Sequence, residues 1–199
     1  MQPKAEASAQ VDAHVLNTDH GPRLNLGPAE VFHVEPTRVS VHLEGDLNVS
    51  LPGAKLLERW LSTVAKGHNC QLRHIAYIII GDEELHAMNV QYLNHDTLTD
   101  IITFDLTDGG EQDDFPVLVQ ERSDPTTIEG ECYISLDRVR ENAESFGQTE
   151  QTELLRVMAH GLLHLCGLDD KTEASARMMR QAEDEALTLF AGLRTQDKP

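Results

Sequence analysis

Two histidines stand one helical turn apart inside an apolar run that a glycine then stops: His160, Gly161, Leu162, Leu163, His164, Leu165, Cys166, Gly167. Leu154, Met158, Gly161 and Leu165 share one face of a helix expected to open at Thr149, so this helix belongs inside the fold. Residues four apart also share a face, which lets both imidazoles reach one ion. Gly167 ends the helix, and Asp169 and Asp170 follow where the chain can fold back. Two imidazoles plus a carboxylate, with a fourth position left to water, are the donor pattern of catalytic rather than structural zinc. Two readings of Asp170 stay open here, because Asp170-x-x-Glu173 also has the spacing of a helix cap. Asp169 is expected either to orient a ligand histidine or to cap. Cys166 lies roughly 200° around the helix from His164 and reads as a core thiol. A zinc peptidase of the HExxH type needs a glutamate beside its first histidine. Gly161 stands there, which argues against that chemistry. A mid-helix glycine costs about 1 kcal/mol relative to alanine, so Gly161 signals close approach of backbone or substrate.

Elsewhere the apolar periodicity outlines a single α+β (mixed α/β) domain over residues 37–191, with a mixed sheet packed against helices. Val39, Val41 and Leu43 alternate as in a half-buried strand, and Leu72 to Ile80 ends in a run that reads as a buried one. Between them Ala54, Leu57, Trp60, Leu61 and Val64 are spaced for a helical face that Gly67 terminates. Asp82 is expected to N-cap a helix reaching about Tyr92. Strands follow at Thr99 to Leu106 and Cys132 to Leu136, then helices from Asp137 to Phe146 and from Thr172 to Leu189. The metal site falls at the end of a helix in the C-terminal half. Residues 1–36 hold four prolines and no sustained period, and are expected to be a disordered extension. Residues 107–130 read as an acidic loop with a short strand at Val117 to Gln120, and 192–199 as a tail.

Composition bounds the function. Sixteen basic against 34 acidic residues give a net charge of −18, so the global field repels a polyanion and any RNA role needs a local basic groove. Arg138, Arg140, Arg156, Arg177 and Arg180 flank the histidine segment; their simpler reading is pairing with Glu141, Glu144, Glu153 and Glu183 on helix surfaces. No stretch approaches the roughly 20 apolar residues of a membrane span, and the polar start lacks a secretory signal. Cys70, Cys132 and Cys166 are odd in number and far apart, as in reduced thiols. A cytoplasmic protein is expected.

Three segments in order resemble the YbeY family of metal-dependent endoribonucleases. His160 to Asp170 is similar to its HGxLHLxGxDH signature. Asn94 to Asp105 (NHDTLTDIITFD) resembles its KDxPTDVLSFP segment, keeping Asp96, Thr99, Asp100 and Phe104. Gly130 to Ala143 resembles its GDIxIS strand and following helix. The likeness runs from Val39 to about Leu189. It implies one zinc per chain, held by His160, His164 and Asp170. The family usually has histidine at the third place; aspartate is an acceptable zinc ligand, though it also approaches the two-His-one-carboxylate set of iron oxygenases. A second departure is Leu93, where the family usually carries an arginine. His95, at the family's lysine position, and Arg73 are the nearest substitutes in sequence for contacting substrate.

What the resemblance implies is a single-strand-specific, zinc-dependent endoribonuclease. Its task would be ribosomal RNA processing (16S rRNA 3′-end maturation and ribosome quality control), with metal-bound water attacking a phosphodiester. Partners would be ribosomal RNA and ribosome or assembly-factor proteins, with no membrane. The alternative is a non-catalytic ribosome-assembly factor with a structural metal, which the acidic charge and Leu93 favour. Nothing in the sequence speaks to oligomeric state.

Overall fold

The computed structural model describes residues 14–17, 38–107 and 126–196. In chain order the elements are β1 (His14–Asn17), β2 (Val39–Leu43), α1 (Ala54–Gly67), β3 (Cys70–Ile80), α2 (Asp82–Leu93), β4 (Ile101–Asp105), β5 (Thr126–Ser135), α3 (Leu136–Ser145), α4 (Glu150–Leu165) and α5 (Glu173–Gln196). The strands form one mixed sheet in the order β1-β4-β5-β3-β2. β2, β3 and β5 run parallel, β4 runs antiparallel to β5, and β1 runs parallel to β4.

Period-two alternation along β3 sorts its side chains between the two faces of the sheet. Ile75, Tyr77 and Ile79 join the larger core with α1, α3, α4 and α5. Ala76, Ile78 and Ile80 join Phe104, Tyr133 and the α2 residues Leu85 and Met88 on the other face. Polar atoms trapped in the larger core are satisfied across elements: Trp60 Nε1 donates to the Ala186 carbonyl at 2.7 Å, and the Tyr77 hydroxyl to the Met158 carbonyl at 2.9 Å. The Trp60 ring also meets Phe190 edge-on, at 5.2 Å between centroids. These contacts moor α4 and α5 to the rest of the domain.

Gly161 explains how closely α4 approaches the sheet. A Cβ there would lie 2.8 Å from Cys132 Sγ and 2.8 Å from Ile101 Cδ1. The glycine therefore serves backbone approach, the first of the two roles its position suggests. At the far end of α4, Gly167 takes φ +91°, a left-handed conformation that suits glycine and turns the chain back.

Several expectations are corrected. Residues 14–17, inside the segment expected to be disordered, pair with β4, whose outer backbone groups would otherwise lack strand partners. The remainder of 1–36 lies outside the described residues except for β1. So does the short strand expected at Val117 to Gln120. β5 begins at Thr126, within the expected acidic loop, because its first residues pair with β3 from Cys70 onward. Asp82 is not an N-cap: Gly81 occupies that position, and the carboxylate of Asp82 accepts from Ser135 Oγ and Arg138 Nε. Its own amide is capped from α3, by Asp137 at 3.0 Å. Finally, α5 runs on to Gln196, past the expected end at Leu189, since Phe190 and Leu193 continue its buried stripe.

Two glycines in helices should therefore answer oppositely to alanine. Gly161→Ala gains helix propensity but forces side chains aside, and should cost a net 1–3 kcal/mol, on the order of other overpacked cores. Gly192, in α5, has nothing within 4 Å of a new Cβ, so Gly192→Ala should stabilise by about 0.5–1 kcal/mol. Urea unfolding of both variants checks the pair; equal effects would contradict the packing described.

Candidate metal centre

The imidazoles of His160 and His164 are buried on the inner face of α4, 2% and 8% exposed. Each has its Nδ1 engaged. His160 Nδ1 lies 2.7 Å from Glu183 Oε1 on α5, and His164 Nδ1 lies 2.9 Å from the Leu168 carbonyl. A carbonyl only accepts, and an ionised carboxylate only accepts, so both rings carry their proton on Nδ1. Both Nε2 atoms are thereby left to point inward, and they stand 3.0 Å apart. Asp170 completes the group, with Oδ2 3.9 Å from His160 Nε2 and Oδ1 4.0 Å from His164 Nε2. Among the described residues this trio is the one cluster of three donors suited to a metal.

The donor set fits zinc. Bonds of about 2.0–2.1 Å in tetrahedral array separate ligand atoms by roughly 3.4 Å, a value inside the observed 3.0–4.0 Å spread. Two facing lone pairs on buried nitrogens repel unless a cation or a proton lies between them. Without metal a proton fills that role. Burial, the largest influence on His160, opposes its charge, but Glu183, Asp100 and Asp170 outweigh it and leave its pKa raised. His164 is lowered, by burial and then by the neighbouring His160 charge.

The loop after α4 divides its labour between two aspartates. Asp169 Oδ1 accepts from the amides of Asp170 and Lys171, so it builds the turn and makes no hydrogen bond to either imidazole. The cap of α5 comes from Thr172 and Ser175, each side chain accepting from the other's amide. Glu173 pairs with Arg177 instead. Asp170 is thus released from capping and faces the histidines.

Glu183 was not singled out from the sequence as part of the site. It is 5% exposed and is braced by Arg156, whose Nη1 donates to its Oε2 at 3.1 Å. A signal existed: Met179, Glu183, Ala186, Phe190 and Leu193 share the buried stripe of α5, so a carboxylate interrupts an apolar face. Asp100 is a second buried acid near the site. Burial first raises its pKa to about 6, against the lowering influence of His160, and its Oδ1 has no partner among the described residues.

The other predicted positions lie apart. Arg73, on β3, pairs with Glu129 of β5. His95 sits in the turn after α2, its amide bonded to the Asn89 carbonyl. Neither lines the cavity of about 640 Å³ onto which His160 and Asp170 open. Leu93 packs against the smaller core. Cys166 is turned from the histidines and stands beside Cys70. Four of the five flanking arginines pair with acids, but only Glu141 and Glu183 of the four expected partners take part: Arg138 pairs with Asp82 and Glu141, Arg140 with Glu150, Arg156 with Glu183 and Asp184, Arg177 with Glu173.

Against known proteins, the model of the Endoribonuclease YbeY family matches residues 44–191. A protein of that name from Flavobacterium johnsoniae is 40% identical over 150 residues, covering 75% of this chain and 96% of its own. The Bacteroides thetaiotaomicron protein is 40% identical over 143 residues, covering 71% and 93%. The solution structure of TM1509 from Thermotoga maritima is 27% identical, with a TM-score of 0.47, over 80% of this chain and 93% of that one.

Two outcomes follow from this geometry. Glu183→Gln keeps the shape but loses the carboxylate on His160, and should weaken metal binding about 10–100-fold, read by competition with a chromogenic chelator. Unchanged affinity would detach Glu183 from the site. Asp100 sets a pH dependence in the metal-free protein. Its folded pKa is raised, so between 3.8 and about 6 the folded state holds a proton that the unfolded chain releases, and stability falls as pH rises. The full difference is about 3 kcal/mol. Asp100→Asn should therefore gain on the unsubstituted protein across that window and stay level above it, in urea titrations at stepped pH; a constant offset would contradict the raised pKa.

Proposed function

This chain belongs to the YbeY endoribonuclease family, and on that footing we propose that it is a zinc-dependent endoribonuclease cutting single-stranded RNA during ribosomal RNA maturation. As its relatives are named for endoribonuclease activity, the chemistry is hydrolysis of RNA phosphodiester bonds. The observation that carries the metal-dependent reading is the convergence of two Nε2 atoms, 3.0 Å apart, beside Asp170 at the edge of an open cavity.

His160, His164 and Asp170 would hold the ion, which supplies Lewis acidity toward a phosphoryl oxygen and acidifies a water. Glu183 keeps the Nδ1 proton of His160 in place and directs its Nε2 inward; the Leu168 carbonyl does the same for His164. Arg156 holds Glu183 in turn, so the orientation of one imidazole is fixed through two further side chains. Three protein ligands leave coordination room on the cavity side, as a catalytic rather than a purely structural ion requires. No helix among the described residues is long and apolar enough to cross a membrane. The cytoplasm, where ribosomal RNA is processed, is the compartment that suits this role.

The direct test is cleavage of a small-subunit ribosomal RNA 3′-end precursor by purified protein, beside His164→Ala, with metal content measured on both. Cleavage by the native protein, with loss of both metal and cleavage in the variant, is the expected result. A native protein that carries metal and leaves the RNA intact would favour an assembly factor with a structural ion.

A further inference from the structure

The cavity beside the metal centre has a rim with features of its own. It lies between the α3–α4 junction and the first half of α5. Phe146, the residue that ends α3, stands there 51% exposed, one of four large apolar side chains left open to solvent among the described residues. Two cations share the rim: Lys171, in the loop after Asp170, and Arg180, two turns into α5. Neither makes an ion pair among the described residues, in a chain with more than twice as many acids as bases. Of the acids that line the cavity, Glu183 and Asp184 are held by Arg156 and Glu173 by Arg177, while Asp170 faces the histidines and Glu153 is buried.

Resting on the nuclease reading above, we infer that this rim is a nucleotide-binding subsite, in which Phe146 stacks on an unpaired base and Lys171 and Arg180 take the flanking phosphates. An exposed aromatic ring flanked by unpaired cations is the combination that grips single strands without reading their sequence. Base stacking needs a π-face freed from its neighbours, which a duplex does not offer. The subsite also answers the charge problem. A polyanion repelled by the molecule as a whole would meet, in Lys171 and Arg180, two cations that pair with no acid among the described residues. It further places the cations away from Leu93, so the arginine missing there is replaced from α5 and its preceding loop.

The test is fluorescence anisotropy with a labelled single-stranded 2′-O-methyl RNA of about a dozen nucleotides, on the full-length metal-loaded protein. Phe146→Ala should weaken binding about tenfold and Phe146→Trp should restore it. The double variant Lys171→Gln, Arg180→Gln should bind more weakly and lower the slope of log affinity against log salt by about 1.4, or 0.7 for each phosphate no longer neutralised. On an abasic oligomer the Phe146→Ala penalty should vanish while the charge penalty persists. If the native protein binds RNA and these variants bind it equally well, the subsite is wrong and the nuclease reading stands. If the native protein binds no RNA, both fall. All three side chains are exposed, and equal metal content with coincident melting curves would exclude misfolding as the cause of weaker binding.

Discussion

The engagement of both Nδ1 atoms governs the centre of this molecule. A neutral imidazole carries its proton on one nitrogen and a lone pair on the other. Here α5 and the turn after α4 each supply an acceptor on the outer side. Both Nε2 atoms are therefore driven to the same point, 3.0 Å apart, in buried surroundings. Much of the neighbouring architecture serves that arrangement. Gly161 lets α4 seat against β4 and β5, Gly167 reverses the chain so that Asp170 returns, and Trp60 and Phe190 hold α5 close enough for Glu183 to reach His160.

Charge distribution supplies a second layer. Against a net charge of −18, acids pair with Arg138, Arg140, Arg156 and Arg177 around the helices. Surface pairs of this kind contribute little to stability, typically under about 1 kcal/mol each. The proposed subsite instead draws on Lys171 and Arg180, which pair with no acid among the described residues. Arg156 differs from the exposed pairs because its partner Glu183 is buried and bonded to a histidine. Removing Arg156 would leave the buried Glu183 without its arginine partner, whereas Arg156 without Glu183 keeps Asp184.

The parts legible in the sequence were those written in local periodicity. Helices α1, α3 and α4 fall within a residue or two of their expected limits, since apolar spacing and terminal glycines act over a few residues. The histidine pair and Asp170 came from spacing too, sharpened by family resemblance. What stayed hidden depends on contacts between distant segments. Glu183 lies 23 residues beyond His160 and sits among other acids of α5; only its place on the buried stripe distinguishes it. Asp82 looked like a cap because Asp at a helix start usually is one, whereas Ser135 and Arg138, more than 50 residues away, claim its carboxylate. The β1 pairing escaped for the same reason, being defined by the free edge of β4 rather than by a pattern of its own.

X-ray absorption at the zinc edge of reconstituted protein tests the central claim most directly. The account predicts one zinc per chain with only nitrogen and oxygen neighbours at about 2.0–2.1 Å, and the outer-shell scattering of two imidazoles. His160→Ala should remove one imidazole from that pattern. A sulfur neighbour at about 2.3 Å, as Cys166 or Cys70 would give, or a spectrum without imidazole scattering, would contradict it.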